Sequence, residues 1–429
     1  MKTLVIRALR TLAKRQIAKF QPTVVAITGS VGKTSTKQAI AIVLGSAYEV
    51  RSESKNYNNE FGVPLAIMGE YSPNRKAWEW VKLFARQLRV KTFPKYLVLE
   101  YSADKAGDIQ ALCDIATPHI GVLTAISPVH VANYKNFGAL AEEKAVLGDN
   151  VPVDGTIILN VDDPTVNLMR DRFQASLATY GYSGKDAKIV SVQTTTKLDN
   201  HFAPGEVVAV TNAVIEVDGE TASLELKNCL GNAPVAACAV ALLVGRRCDV
   251  RLRKAAAALS EQMVPAPGRM RPMAGIKGSL ILDDSYNAAP ASVMAALDVL
   301  HLFLTDRPNS RRVAALGKMA ELGQYSEAEH AAVGRRVAEV ADVFVAVGPE
   351  MQGAADEALR AGMKPESIIR VTDPVQAGRW LDENIREGDI VLIKGSQSAR
   401  IEKAAKDVIA EPLRAAELLC RQEEYWMKN

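Results

Sequence analysis

Paired cysteines, a dominant sign of charge, internal repeats and long apolar runs are all missing from this sequence. The five cysteines, Cys113, Cys229, Cys238, Cys248 and Cys420, are odd in number, widely scattered and never spaced as CxxC. They indicate neither a disulfide framework nor a thiolate zinc site, and a reducing cytoplasm fits them best. The formal net charge is only +3, which gives no general argument for nucleic-acid binding. In the first twenty residues Arg7 and Arg10 interrupt the apolar run, leaving it too short for a signal-peptide core or a membrane span.

What is present is the balance of a soluble globular protein: 48% hydrophobic and 24% charged residues over 429 positions, enough for two or three domains. Lys2, Arg7, Arg10, Lys14, Arg15 and Lys19 come without a single acid, and Val5, Leu9, Leu12 and Ile17 recur at roughly helical spacing. Residues 1–22 therefore read as a basic amphipathic helix. It either packs on the next domain with a solvated basic face, or makes a peripheral contact with an anionic membrane or an acidic substrate.

Short β-rich runs then alternate with helical stretches, the pattern of parallel sheets built from βαβ units. TVVAIT (23–28), YLVLEY (96–101), HIGVLT (119–124) and TIILN (156–160) read as buried strands. The alternating runs between 186 and 227 lack helical signals and predict a small antiparallel sheet. A Pro- and Gly-dense stretch, VPAPGRMRP, marks a linker. A second α/β rhythm follows it, in SLILDD, RVAAL, VFVAVG, SIIRVT and DIVLIKG. The fold class is α/β: a nucleotide-binding central domain over 23–263 with a mostly parallel sheet plus the small antiparallel one, then a Rossmann-like domain over 264–429.

The strand at 23–28 runs directly into Thr28-Gly29-Ser30-Val31-Gly32-Lys33-Thr34-Ser35. Glycines let main-chain N–H groups turn inward around phosphate oxygens, and the following helix N-terminus adds a favourable dipole. In such a loop Lys33 reaches the β/γ-phosphates of ATP and the Thr34 hydroxyl ligates Mg²⁺. The usual loop has a glycine six residues before its lysine; here Ile27 stands there, which makes this a compact variant.

That compact form resembles the loop of the Mur ligase family, ATP-dependent amide-forming enzymes of peptidoglycan assembly, and further strings match in order. NYNNEFGVPLAIM (56–68) is similar to the family's Asn-rich segment, and Asn58 and Asn59 become candidate substrate contacts. LVLEYSADKAGDI (97–109) resembles the strand that ends in a magnesium-ligating Glu, here Glu100. ISPVHVANYKNFGALAEEKAVL (126–147) carries His130 and, fourteen residues on, Lys144, matching the family's magnesium-binding His and its often carbamylated lysine. LNVDDP, GRM, DDSYNAAPASVMAAL, LGKMAELGQYSEAEH and IKGSQSARIE match as well. The resemblance implies that Arg269 reaches ATP on domain closure and that Asn287 lies against the nucleotide. It also implies that Lys394, Ser396 and Arg400 serve the incoming amine substrate.

The implied activity is ADP-forming ligation through an acyl phosphate, joining a D-Ala-D-Ala-type dipeptide to a muramoyl-peptide carboxylate, with ATP and Mg²⁺. Lys33, His130 and Lys144 would be its catalytic residues, Gly29, Ser30, Gly32, Lys33, Thr34 and Ser35 its nucleotide loop. The expected partners are small-molecule or peptide substrates, with no nucleic acid, and the chain is expected to be a monomer. Two other readings stay open: a family ligase for another acyl and amino-acid pair, such as polyglutamylation, and a nucleotide-binding module without ligation. Three departures from the family are visible. Only about twenty-two residues precede the first strand, where relatives carry a uridine-binding domain; Lys318 replaces an acid; and Asn232 alone survives from an Asn-containing string before the second domain.

Overall fold

The computed structural model describes residues 2–53, 57–73, 77–128, 131–197, 201–303, 305, 310–423 and 426. His130 lies outside the described residues, as does Asn56 of the Asn-rich segment.

Among the described residues two sheets form. The first holds parallel strands β1 (Thr23–Thr28), β2 (Val50–Ser52), β3 (Tyr96–Glu100), β4 (Ile120–Leu123), β5 (Thr156–Asn160) and β6 (Ser176–Gly181). It continues through β7 (Ala187–Thr196), β8 (Ala209–Val217) and β9 (Glu220–Lys227), in the order β2-β3-β1-β4-β5-β6-β7-β8-β9. β3 and β4 are buried at every position, as strands covered on both faces must be. The antiparallel part, expected as a small sheet attached to the first domain, is joined edge to edge with the large one: Tyr180 and Gly181 pair in parallel with Ala187 and Lys188, and only then does the chain reverse. Its strands alternate buried and exposed residues. The inner face (Ala213, Ile215, Leu224, Leu226) joins Val240, Leu243 and Val244 of the long apolar helix Asn232–Arg247 in one core.

The second sheet is β10 (Arg271–Ala274), β11 (Leu280–Asp284), β12 (Arg312–Gly317), β13 (Val343–Val347), β14 (Ile368–Val371) and β15 (Ile390–Lys394), in the order β10-β11-β15-β12-β13-β14. β11 to β15 coincide with the five runs read from the sequence. β10 does not, because its first two residues, Arg271 and Pro272, end the stretch read as linker. Its Pro272 is tolerated since β10 is an edge strand, antiparallel to β11 alone.

Helix α1 (Lys2–Phe20) packs on the first unit. Leu9 is fully buried with Leu65 of α3 (Gly62–Met68) and Leu83 of α4 (Ala77–Leu88), and Val5 and Leu12 pack against the same cluster. The apolar spacing read from the sequence thus faces inward, and Arg7, Lys14, Arg15 and Lys19 stay exposed. The two sheets are joined through side chains too: Phe202, Val208, Ala209 and Leu230 lie in the core of the second unit.

Candidate active site

In the first sheet β1 lies between β3 and β4, so their carboxyl ends open side by side. β1 passes into the glycine loop, which ends at α2 (Lys33–Gly45). Gly29 (φ 142°) and Gly32 (φ 89°, the N-cap of α2) hold positive backbone angles that favour glycine. At Gly29 a side chain would also collide with Thr124 and the Ala125 carbonyl. The loop is fastened to the segment after β4: the Ser30 and Val31 amides donate to the Ala125 carbonyl at 2.7 and 3.3 Å, and Ser30 Oγ donates to the Ser127 carbonyl at 3.0 Å. Lys33 Nζ folds back onto the Gly29 and Ser30 carbonyls at 2.8 and 3.3 Å, and Ser35 sits half-buried in the first turn of α2.

Glu100, at the end of β3, is the hub. Its carboxylate accepts from Thr34 Oγ1 at 3.1 Å and from Asn58 Nδ2 at 3.2 Å, and Lys37 Nζ stands 3.9 Å away. Arg269, from the other half of the chain, donates to Thr34 Oγ1 at 3.5 Å. Burial alone would raise the Glu100 carboxyl. The charges of Lys33, Lys37 and Arg269 and the Asn58 hydrogen bond outweigh it and hold the group below the usual carboxylate range. Burial and the neighbouring Arg269 lower the Lys33 ammonium, with Glu100 acting against them. Lys37 was not picked out from the sequence, although it follows Lys33 by one helical turn and so shares its face.

Lys144 lies on α6 (Phe137–Asp149), whose first turn is capped by the Asn136 side chain accepting from the Ala139 amide at 2.9 Å. It is 3% exposed, and its ammonium donates to the Ala103 carbonyl at 3.4 Å. Burial, and then repulsion from Lys33, brings its ammonium down to about 7. Its neighbour Glu143 is spent on structure, accepting from the Gly107 and Ile109 amides at 2.8 and 2.7 Å. Asn59 Oδ1 accepts from the Phe61 and Gly62 amides at the start of α3.

In the second half, the segment carrying Arg269 is clamped to the end of β11. The Gly268 and Met270 amides donate to Asp283 and Asp284, each at 3.0 Å, and the guanidinium stacks 4.1 Å over the Tyr286 ring. Asp283 is fully buried, and that burial lifts its carboxyl to about 6. Lys394 and Arg400, expected to serve the incoming amine substrate, each pair with an acid of the chain in this structure. Lys394, 2% exposed, donates to Asp284 at 2.6 Å and to the Asn287 carbonyl at 2.9 Å. Arg400 bonds Glu402 at 2.6 Å and the Trp426 carbonyl at 2.8 Å. Ser396 is buried, with its amide on the Lys318 carbonyl at 2.9 Å. Lys318 itself pairs with Glu350 at 2.7 Å, so the charge inverted at this position finds an acid beside it. Asn287 is half-buried and its Oδ1 accepts from the Ala288 amide, while Asn232 Oδ1 accepts from the Tyr182 hydroxyl at 2.9 Å.

The cluster gathers Lys33, Lys37 and Arg269, with Lys144 close enough to repel Lys33, around one ionised carboxylate. That is a receptor for a polyanion with one acid reserved for a cation. Mg²⁺ suits it, because that ion takes one or two protein carboxylates and completes its octahedron with phosphates and water. Among the described residues no group of three His, Cys, Asp or Glu comes together, so a metal cage made wholly of protein is not formed there.

A glycine loop at the carboxyl edge of one α/β sheet, met by an arginine from a second, defines a two-unit nucleotide-dependent enzyme. Residues 27–240 match the Mur ligase middle domain and residues 268–397 the Mur ligase, glutamate ligase domain, and the chain belongs to the Mur ligase family. It is 30% identical over 428 residues to the UDP-N-acetylmuramoyl-tripeptide–D-alanyl-D-alanine ligase of Mycobacterium leprae, covering 95% of this chain and 78% of that one. The Bacillus subtilis ligase of the same name is 26% identical, over 95% of this chain and 80% of its own. Among solved structures, the MurF ligase of Thermotoga maritima in complex with ADP superposes with a TM-score of 0.75 at 25% identity, over 94% of this chain and 83% of that one.

Proposed function

We propose that the protein is an ADP-forming ligase that joins the amine of D-alanyl-D-alanine to the terminal carboxylate of a UDP-N-acetylmuramoyl-tripeptide, the reaction for which its relatives are named. The observation that carries the reading is the contact between Arg269 and Thr34. A guanidinium from the second unit meets the hydroxyl of the nucleotide loop beside an ionised Glu100. A carboxylate does not acylate an amine at neutral pH, because hydroxide is a poor leaving group. Transfer of the γ-phosphoryl group of ATP to the carboxylate converts that oxygen into phosphate, which the amine then displaces.

The transfer brings two anions together, so fixed cations are the main requirement. Lys33 and the loop from Gly29 to Ser35 hold the phosphates, Arg269 and Asn287 approach from the opposite side, and Asn58 keeps Glu100 oriented. Mg²⁺ would be held by Glu100 and Thr34 and, following the family pattern, by His130 and a carbamylated Lys144, and it supplies charge neutralisation. Lys144 suits carbamylation: an amine brought to about 7 is neutral often enough at physiological pH to attack CO₂, releasing one proton and leaving an anionic carbamate. Lys394 acts as a positioning residue, fixing Asp284 and the Asn287 segment rather than meeting substrate.

The reading is tested by ADP release with UDP-N-acetylmuramoyl-tripeptide and D-Ala-D-Ala. Turnover that requires both, with the pentapeptide product seen by mass spectrometry, supports it. ADP release that ignores the amine sinks it, and turnover with glutamate in place of the dipeptide moves the protein to another branch of the family.

A further inference from the structure

The helical layer beneath the first sheet carries a second surface that ligation does not use. α1 and α4 lie side by side: Gln16 Nε2 donates to Gln87 Oε1 at 2.6 Å, and Lys19 Nζ to the Val90 carbonyl at 2.8 Å. Their inner faces are filled by Leu9, Leu83, Leu65 and Met68. α4 has another apolar stripe nonetheless. Trp78, Val81 and Leu88 are 66%, 54% and 54% exposed, and Ala85 between them is exposed too. At 100° per residue these four positions cover only about 80° of the helix perimeter, so they form one continuous strip. Leu4 on α1 is 68% exposed.

The charge around the strip is predominantly basic. No acid occurs before Glu49, and Arg7, Lys14, Arg15 and Lys19 are exposed on α1. Between 77 and 96 a single acid, Glu79, meets Lys82, Arg86, Arg89, Lys91 and Lys95. Glu79 is paired with Lys82, whose ammonium also stands 5.8 Å over the Trp78 ring, and Arg86 is held by Glu70.

We propose that α1 and α4 together form a docking face for an anionic lipid bilayer. Trp78, Val81 and Leu88 enter the boundary between headgroups and acyl chains, and the exposed cations meet lipid phosphates. An exposed indole beside branched aliphatics and Lys/Arg is the composition of interfacial helices, and nucleic acid would make no use of such an apolar strip. The contact lies flat on the surface, since no helix among the described residues is long and apolar enough to cross a membrane. α3, packed beneath the same face, starts just after Asn58, which bonds Glu100. The inference stands whether or not the ligase reading does.

Vesicle flotation of the full chain tests it. The protein should float with phosphatidylglycerol-containing vesicles at low salt, stay behind with pure phosphatidylcholine, and be released as salt rises. Trp78→Ser combined with Leu88→Ser, and separately Lys14→Glu combined with Arg15→Glu, should each weaken binding about tenfold or more. Both variants should keep the melting temperature of the parent, because these side chains are exposed. Failure to float, equal flotation with both lipids, or flotation undiminished in both variants overturns the proposal. So does a concentration-dependent dimer that Trp78→Ser abolishes while vesicles remain bare.

Discussion

Lys37 shows how much a single side chain can alter at this site. It is buried, and its partner is the carboxylate that also receives Thr34 and Asn58. Lys37→Met should leave Glu100 with less opposing charge and cost about 2 kcal/mol in kcat/KM, roughly thirtyfold, measured with saturating amine substrate. Lys144 makes a prediction with a defined sign in pH. Its ammonium sits at about 7, so the neutral amine that reacts with CO₂ is about half of the population at pH 7 and about a tenth at pH 6. Degassed, CO₂-depleted enzyme should therefore lose activity most sharply below pH 7, and added bicarbonate should restore it. Lys144→Ala should be inactive and partly rescued by short-chain carboxylates; rates equal to the parent in that variant would remove Lys144 from the mechanism.

α6 carries Lys144 into the site, and its start rests on one side chain. Asn136→Ala removes the cap on the Ala139 amide and should cost about 1 kcal/mol of stability by urea denaturation. Activity should fall with it if the helix frays toward Lys144. At this scale the sequence was most legible where period and chemistry agree. β1, β3, β4, β5 and the parallel strands β11 to β15 of the second sheet are apolar runs bounded by breakers, and the glycine loop between β1 and α2 is announced by its own residues. β10 was hidden because proline density reads as linker, and edge-strand pairing is a fact about the neighbouring strand. The partner of Lys394 was not legible, because which atom claims its ammonium depends on a residue far away in the chain: Asp284 lies 110 positions before it. Lys37 could have been found, since its spacing from Lys33 was in plain view.

For the whole molecule, the two sheets do not share a smooth boundary. Phe202, Val208, Ala209 and Leu230 belong by sequence to the first unit and by packing to the core of the second. Thermal unfolding should therefore be a single transition. Phe202→Ser, which removes a buried aromatic at a cost of about 3 kcal/mol or more, should split it in two in a calorimetric scan. The guanidinium that crosses between the units has its own main chain tied on either side to Asp283 and Asp284, so it cannot swing independently of the sheet that bears it. Idle consumption of nucleotide would then be governed by how long that sheet stays seated against the loop. Thickening the medium with sucrose or glycerol should slow turnover in proportion to viscosity, as for a gate whose latch is welded to its door.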